Sequence, residues 1–547
     1  MTKALLLTTM ASLAFSAMAV PQEFAPLKKV CREVTPPNAD DEIIFYPPEG
    51  ELTYLSRNCM EFAYDWEGVH RNEIKGSLMR QIKAEDGTLY FSNPLADFTM
   101  LSWLKGSYDA DGSIVIEGPQ FIYDEYDDWN EVWINFYILP MKQVVDESGM
   151  ATYVATDDMK YVLKKTDNGY EAADPEILLG LANYGELADA EGNLTGEMGY
   201  SWRGFGEYDI KLTTREPSNG VTPPDGAAIN KWVFEDEFEK AFVDVAFDGD
   251  DIYIQGLDRG IDRWWVKGWV KGHISDGKVT IPSGTYIGIN EAVAYYSYLW
   301  GAQIEYGYDD EGNEIMTGSP LDEVVFDYDA EAQKLTLRNG YATCSMPEDF
   351  YVLTFYEGVT VFNQHRNVDT PPAPPYDLDV QPWDDYFEAG LLGFRIPNVD
   401  IDGGLLDTDR LYYRIYFNGE LFTFTPSAYS HLGIEEDVVN MPLDLYDNWD
   451  IFRAENYVDI YFPFELPAEG CGVQSMYINE EGKELFSEIL SSDSGVESTV
   501  MQPEETSRAY YNLQGQRVDE TYNGPVVCRI VYSDGSVKTV KRMRAGR

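Results

Sequence analysis

The sequence predicts an all-β protein built from antiparallel strands, and three observations lead to this fold class. First, short segments of alternating apolar and polar residues continue to about residue 490, for example at 113–117 and 251–255; a period of two is typical of half-buried strands. Second, Asp-Gly and Asn-Gly dipeptides separate many of these segments, as at 86–87 and 418–419, and such pairs favour tight hairpin turns. The third observation is an internal repeat.

The repeat relates two stretches of the chain. The Trp-Leu-Lys-Gly sequence at 103–106 corresponds to Trp-Val-Lys-Gly at 269–272, and in both stretches an Asp-Gly turn and two apolar segments follow in the same order. A repeat of this kind marks a structural unit that has been reused. We therefore predict two related antiparallel β-meander modules, each with enough strands to form a barrel or a strongly curled sheet.

Proline-rich segments follow both predicted modules. One lies at 216–226, and the other places four prolines within 371–375. Four prolines in five residues favour a stiff polyproline II spacer, because proline cannot donate a hydrogen bond in a central strand. After this spacer, a hairpin pattern at 411–424 predicts a β-sandwich-like domain of the fibronectin III-like type.

Helical periodicity is scarce. The two best candidates are 174–181 and 480–490, which are both short.

The first 19 residues have the features of a secretory signal peptide. Lys3 precedes an apolar run that ends in the small-residue step Ala17-Met18-Ala19. The run is too short for a membrane-spanning helix. We therefore expect export, with a mature chain that begins near Val20.

Five cysteines remain after that segment: Cys31, Cys59, Cys344, Cys471 and Cys528. An odd number leaves at least one thiol free or paired with another chain. No C-x-x-C spacing occurs, so the cysteines predict neither a zinc site nor a dense disulfide framework. Whether the near pair Cys31 and Cys59 forms a disulfide stays open.

The charge balance limits the possible partners. The chain has 40 Lys and Arg against 95 Asp and Glu, a formal net charge of −55. Such a protein repels nucleic acid and anionic membrane surfaces, so we expect neither as a partner. The charge reverses only at the end, because residues 508–547 carry 8 basic and 3 acidic side chains.

This basic tail carries a family resemblance. The sequence Tyr-Tyr-Asn-Leu-Gln-Gly-Gln-Arg-Val at 510–518, followed by Arg-Ile-Val-Tyr at 529–532 and Ser-Asp-Gly at 533–535, resembles the C-terminal domain of many secreted Bacteroidota proteins. The resemblance implies type IX-like secretion, in which a small terminal β-domain directs passage across the outer membrane. The alternative is a related terminal domain with a structural role only.

The body of the chain also resembles exported multi-domain β-proteins of the same phylum. The resemblance rests on 245–257, 269–272 and 396–403. It implies a host and a compartment, and it transfers no catalytic residues.

Together these patterns predict the following organisation: signal peptide 1–19, N-terminal extension 20–49, β-meander modules 50–215 and 230–365, β-sandwich-like domain 376–490, linker 491–507 and C-terminal sorting-like domain 508–547.

Motifs for catalysis are missing from the sequence. The four histidines lie in no metal-ligand spacing, and neither a G-x-S-x-G elbow nor a phosphate loop occurs. We predict no cofactor. A carboxylate pair for glycoside hydrolysis stays possible, because 95 acidic residues place some pairs at a suitable distance by chance.

Three acidic turns have carboxylates at alternate positions that could bind calcium. They lie at 109–112, at 309–314 and at 400–403 with Asp407. None completes an EF-hand loop, and acidic residues beside glycine are ordinary in hairpins. We therefore favour structural turns over a metal site.

Two tryptophans form a candidate glycan-binding platform. Alternation along the segment 264–271 places Trp265 and Trp269 on one face beside lysines, and flat rings can stack on sugars. However, Trp269 recurs as Trp103 in the first module, which favours a shared packing role. A packing role is the stronger interpretation.

The sequence as a whole favours an exported, non-enzymatic β-protein that binds or displays, with a glycan or a surface protein as ligand and the secretion machinery as a partner of the tail. It would be secreted or held on the outer cell surface, or periplasmic if the tail is not a sorting signal. The alternatives are a secreted glycan-acting hydrolase with an unidentified carboxylate pair, and a calcium-dependent adhesive stalk.

Overall fold

A computed structural model describes most of the chain between residues 42 and 492, with residues 24, 30–33 and 36 before it and strands within 505–544 after it. The gaps inside the main part are 66–67, 97–101, 128–131, 148, 189–192, 218–219, 238–239, 259–265, 267, 292, 309–313, 386, 430–431, 447–449 and 455. The predicted signal peptide 1–19 and most of the predicted linker 491–507 lie outside the described residues.

The described residues form forty strands, one four-residue α-helix and one 3₁₀ turn. The all-β prediction is therefore confirmed. The strands in and before the first repeat are β1 (Val30–Glu33), β2 (Gly50–Asp65), β3 (Gly68–Ala84), β4 (Leu89–Ser92), β5 (Trp103–Tyr108), β6 (Ile114–Glu117), β7 (Gln120–Asp127), β8 (Val132–Val145), β9 (Ala151–Ala155), β10 (Lys160–Lys165), β11 (Gly169–Ala172), β12 (Leu178–Ala188) and β13 (Leu194–Thr214).

The strands of the second repeat are β14 (Ile229–Glu235), β15 (Lys240–Asp248), β16 (Asp251–Gln255), β17 (Trp269–Ser275), β18 (Lys278–Pro282), β19 (Thr285–Asn290), β20 (Tyr295–Tyr308), β21 (Glu314–Leu321), β22 (Glu323–Asp329), β23 (Lys334–Leu337), β24 (Gly340–Cys344), β25 (Val352–Tyr356) and β26 (Thr360–Phe362).

The remaining elements are β27 (Tyr376–Asp384), β28 (Ala389–Arg395), the 3₁₀ turn (Thr408–Arg410), β29 (Leu411–Phe417), β30 (Glu420–Leu421), α1 (Pro426–Tyr429), β31 (Met441–Pro442), β32 (Ile451–Ala454), β33 (Tyr457–Phe462), β34 (Cys471–Ile478), β35 (Glu484–Phe486), β36 (Leu490–Ser491), β37 (Glu505–Tyr511), β38 (Arg517–Val518), β39 (Gly524–Tyr532) and β40 (Val537–Arg544).

Both predictions of helix were wrong. The segment 174–181 is a turn that leads into β12, in which the Asp174 carboxylate accepts a hydrogen bond from the Glu176 amide at 3.0 Å. Strand β12 then pairs with β8 and β13, and pairing on both edges outweighs any local helical preference. The segment 480–490 contains a hairpin turn and the short strand β35.

The two repeats form related modules. In the second, eight strands close a barrel in the order β14-β15-β16-β17-β18-β22-β23-β26. In the first, the pairings follow the same circuit through β2-β3-β4-β5-β6-β10-β11-β13 and back to β2. Each module also carries an inserted set of strands at equivalent points, β7-β8-β9 with β12 and β19-β20-β21 with β24.

The register is equivalent as well. Tyr90 pairs with Lys105 in the first module, and Tyr253 pairs with Lys271 in the second. The repeated Trp-x-Lys-Gly sequence thus lies on the same strand, beside the same neighbour, in both modules. The two barrel-like modules predicted from the repeat are present.

The inserted strands of the second module also contact the first module. Tyr295 on β20 pairs with Ser77 on β3. The hydroxyl of the buried Tyr296 donates to the Arg215 carbonyl at 2.9 Å and lies 3.3 Å from the Leu55 carbonyl. These contacts join the two modules through strand pairing and a buried hydrogen bond.

Both barrel interiors are filled with side chains, yet with different chemistry. The second barrel is lined by apolar residues such as Trp232, Phe234 and Phe326. The first contains an ion pair, Arg57 with Glu207, whose side chains are both 0% exposed. Eight-stranded barrels have interiors just wide enough for side chains to fill, and these two are packed cores.

The third unit is a β-sandwich, as predicted. One sheet has the order β27-β28-β33-β32, and the other has β30-β29-β34-β35 with β31 and β36 beside it. Their inner faces share one apolar core that includes Phe394, Tyr413 and Ile460. The outer face of the first sheet is therefore available for other roles.

The proline segment that precedes the sandwich packs against it. Pro372 forms a bridge with Asp400, and the Ala373 amide donates to the Val399 carbonyl at 2.9 Å. Pro372 and Pro375 are buried. The predicted stiff spacer is therefore not separate from the sandwich, because these contacts hold it against that domain.

The basic tail forms a separate four-stranded antiparallel sheet in the order β38-β37-β39-β40. The sequence predicts a small C-terminal β-domain, and this part of the fold prediction is confirmed.

Candidate functional site

The outer face of the β27-β28-β33-β32 sheet brings together aromatic and acidic side chains, and we call it the outer face below. Side chains in a strand alternate between the two faces. Because Val458, Ile460 and Phe462 point into the core, the residues of β33 that alternate with them point outward. These are Tyr457, Asp459 and Tyr461.

Strand register arranges the outer face in three rows across the sheet. The first row is Gln381, Leu391 and Tyr461; the second is Asp379, Gly393, Asp459 and Phe452; the third is Tyr376, Arg395, Tyr457 and Ala454. The middle row is polar at its centre, and aromatic rings lie on both sides of it.

Gly393 determines how the middle row packs. A Cβ atom at this position would lie 2.7 Å from Asp459 Oδ1 and 2.7 Å from the Tyr457 hydroxyl. Without a side chain on Gly393, the Tyr457 hydroxyl can reach across and donate to Asp459 Oδ1 at 2.6 Å. The two polar groups therefore occupy the space over Gly393.

Burial raises the pKa of Asp459, the nearby charge of Asp379 raises it further, and the hydrogen bond from Tyr457 opposes the rise. The folded state thus holds this proton more tightly than the unfolded chain does. Asp459 therefore opposes folding increasingly as the pH rises from the ordinary range of an aspartate through its raised pKa. An ionisable group with a perturbed pKa that lowers the stability of the folded state is typical of functional sites.

Aromatic rings border the middle row. Tyr461 and Phe387 have ring centroids 5.2 Å apart with their planes at 61°, and Phe387 is 54% exposed. Phe452 is also exposed, at the end of the middle row. In the third row the Arg395 guanidinium lies over the Tyr457 ring at 5.1 Å.

The network on the third row holds Arg395 in place. Arg395 donates to Asn456 Oδ1 at 2.9 Å and lies 3.4 Å from Asp377. Asn456 in turn donates to the Tyr376 hydroxyl at 2.9 Å. This part of the outer face is therefore ordered by side-chain hydrogen bonds that link β27 and β28 through Asn456, the residue before β33.

Of the two tryptophans predicted from the sequence, the structure describes only Trp269, which lies on β17 and not on the outer face. Trp265 falls outside the described residues, so the two-ring platform stays a prediction. Trp269 is half-buried; it pairs with Gln255 on β16 and forms a bridge with Val221. Trp103 pairs with Ser92 at the equivalent place in the first module.

The acidic turns use their carboxylates locally. Asp109 Oδ1 accepts hydrogen bonds from the Asp111 and Ser113 amides at 3.1 and 2.9 Å. Asp400 Oδ1 accepts from the Asp402 and Gly404 amides at 3.0 and 2.8 Å. These are hairpin turns, and most of the third candidate, 309–314, lies outside the described residues.

Two further observations concern the described residues only. They contain no group of three or more His, Cys, Asp or Glu side chains placed to hold a metal ion. Cys59, Cys344 and Cys471 are buried and form no disulfide with one another, and the pairing of Cys31 with Cys59 stays open.

Searches among protein families, curated proteins and solved structures found no significant match to this chain. In the part of the chain that the structure describes, no helix is long and apolar enough to cross a membrane.

The sequence contained a signal for part of the outer face. The alternation Tyr-Val-Asp-Ile-Tyr-Phe at 457–462 predicts a strand with two tyrosines and an aspartate on one face. The position of Asp379 opposite Gly393 could not be predicted, because register between strands depends on the packing of the whole sheet.

Proposed function

We propose that this chain is an exported, non-enzymatic β-protein of the cell surface or the extracellular medium, and that it binds its ligand through the outer face. The observation that carries the proposal is the assembly of half-buried and exposed aromatic rings around a polar row on one sheet face. Exposed aromatic residues grouped on a surface mark binding sites more often than isolated ones do.

The filled barrels support this choice of site. In the second barrel the Tyr341 hydroxyl donates to the Leu257 carbonyl at 2.6 Å, and the Tyr356 hydroxyl donates to Asp258 at 2.9 Å. In the first, Arg57 donates to the Pro94 carbonyl at 3.2 Å. In each module a buried side chain thus bonds to the loop after the third barrel strand, and the protein's own side chains occupy the barrel interiors.

A second candidate function is a glycan hydrolase, and one observation favours it. Asp379 and Asp459 lie on either side of Gly393 in the same row. Two strand spacings place their Cα atoms about 10 Å apart, which is compatible with a carboxylate pair, and one of the two has a raised pKa as a general acid needs.

A binding and turnover screen separates the two functions. We expect the purified mature chain to bind at least one ligand on arrays of glycans and extracellular proteins, and to release no sugar from any polysaccharide that it binds. Turnover that disappears in an Asp459→Asn variant would instead establish the hydrolase. If the chain bound no ligand on any of the arrays, that result would contradict the proposed function.

The tail is proposed to direct export. Its net positive charge on an otherwise acidic chain and its separate four-stranded sheet support a device distinct from the body. We expect a chain without residues 508–547 to stay in the periplasm of a Bacteroidota host, while the intact chain reaches the surface or the medium. Cell fractionation measures this, and equal distribution of the two chains would make the tail a structural domain only.

A further inference from the structure

We propose that the outer face binds an uncharged oligosaccharide, with Tyr461 and Phe387 packing against a sugar ring and Asp379 and Asp459 accepting hydrogen bonds from its hydroxyl groups. This inference rests on the proposed function and names its ligand class.

Tyr461 and Phe387 supply the apolar contact. Their planes meet at 61° with centroids 5.2 Å apart, so they form a corner with one ring as floor and the other as wall. The Phe387 amide donates to Asp384 Oδ1 at 3.1 Å, which fixes the turn that carries the wall ring. A sugar has an apolar C–H face and polar edges, and aromatic rings give such a face a large contact area at a small cost in side-chain entropy.

The middle row supplies the hydrogen-bond acceptors. Asp379 is exposed and has no hydrogen bond or ion pair among the described residues. Asp459 uses Oδ1 for the Tyr457 hydroxyl, and its Oδ2 forms no hydrogen bond within the described part of the chain. Hydroxyl donors from a ligand complement these carboxylates, and hydrogen bonds to an ionised acceptor are the stronger kind.

The charge of the outer face selects an uncharged ligand. Three carboxylates, those of Asp377, Asp379 and Asp459, lie on or beside the three rows, and Arg395 is the single cation of these rows. Arg395 already pairs with Asp377 and donates a hydrogen bond to Asn456. The chain as a whole carries a net charge of −55. Uronic acids and sulfated sugars would therefore be repelled, while neutral sugars would not.

The same arrangement disfavours a protein ligand. The centres of protein interfaces are depleted in charged residues, but the centre of the outer face is a row that contains two aspartates beside a glycine. Placing an apolar protein patch over those carboxylates would remove them from water without partners, which is costly. Sugar hydroxyls replace the lost water contacts.

The test compares soluble neutral polysaccharides with uronic-acid and sulfated ones by calorimetry or affinity electrophoresis of the mature chain. We expect binding to a neutral polysaccharide, reduced at least tenfold in Tyr461→Ala and about tenfold in Asp379→Asn, because a hydrogen bond to an ionised acceptor is stronger than one to a neutral amide oxygen. Tyr308→Ala is the matched control, because Tyr308 is 73% exposed on the β20-β21 hairpin, far along the chain from the sandwich.

Each outcome decides one point. Equal binding by the wild type and both sandwich variants would place the site elsewhere and overturn the inference. Preference for anionic sugars, or binding to proteins alone, would overturn the ligand class and leave the proposed function standing. Absence of binding to any ligand would overturn the proposed function itself. Because Asp379 is exposed, its asparagine variant should fold normally and keep the test valid if Tyr461→Ala misfolds.

Discussion

Replacing Glu207 with alanine is expected to lower the free energy of unfolding of the first barrel by about 3–5 kcal/mol. Glu207 Oε2 lies 3.2 Å from Arg57 Nη1, and neither side chain is exposed to water. Removal of one member of such a pair leaves the other charge buried and uncompensated. The carboxylate also accepts a hydrogen bond from the Ala96 amide, which the variant loses.

The partners that remain for Arg57 are neutral. Its guanidinium would keep the Pro94 carbonyl at 3.2 Å and the Ser77 hydroxyl at 3.4 Å. Neutral oxygen atoms stabilise a buried cation less than a carboxylate does. The loss should appear as a lower denaturant midpoint and a lower melting temperature.

The matched control is the double variant Arg57→Met with Glu207→Leu, which also removes the bond to Ala96. We expect it to be more stable than Glu207→Ala, because well-packed apolar side chains can replace a buried pair at little or no cost. The difference between the two variants contains the cost of the unpaired charge together with the cost of the cavity that alanine leaves. Equal stability of the two variants would show that the charge of Arg57 does not account for the loss.

The second barrel already has an apolar side chain at the position that corresponds to Arg57. The register places Phe234 at the position of Arg57, since Arg57 pairs with Ser77 and Leu212 while Phe234 pairs with Ala241 and Val361. One duplicated framework thus accepts either a charged or an apolar interior.

Much of the fold follows from local patterns. Alternation and Asp-Gly turns predicted strands such as Ile114–Glu117 and Asp251–Gln255, and the repeat predicted two related modules. The ion pair could not be predicted, because Arg57 and Glu207 are 150 positions apart and meet only once the barrel closes. The incorrect helix at 174–181 has the same origin, since strand pairing with β8 and β13 decides its conformation.

The candidate site, like the fold, could be predicted from the sequence only in part. The sequence gives no indication that 457–462 and 376–384 lie in one sheet with β28 between them. Alternation along 264–271 favoured Trp265 and Trp269, because it places two tryptophans of one segment on the same face. The rings that the sheet assembles come from separate segments, such as Phe387 and Tyr461, and only tertiary structure brings them into contact.

The sandwich depends on a buried arginine from the segment that precedes it, and Arg366→Ala should lower its stability by about 3 kcal/mol or more. The Arg366 side chain is 7% exposed; it lies 3.6 Å from the fully buried Asp400 carboxylate and 3.0 Å from Glu480, and it stacks over Tyr477 at 5.2 Å. Without it Asp400 keeps two amide donors but no cation.

Calorimetry of the full chain measures this effect, because multi-domain proteins can melt in separate transitions. We expect the transition of the sandwich to move and protease cleavage within 363–375 to become faster. Arg338→Ala is the control: Arg338 and Asp327 form a pair at 3.3 Å whose side chains are 47% and 55% exposed, and such pairs contribute about 0.2–1 kcal/mol. If both variants lowered the free energy of unfolding by the same small amount, Arg366 would contribute no more than an exposed ion pair does. Backbone contacts alone would then hold the proline segment to the sandwich.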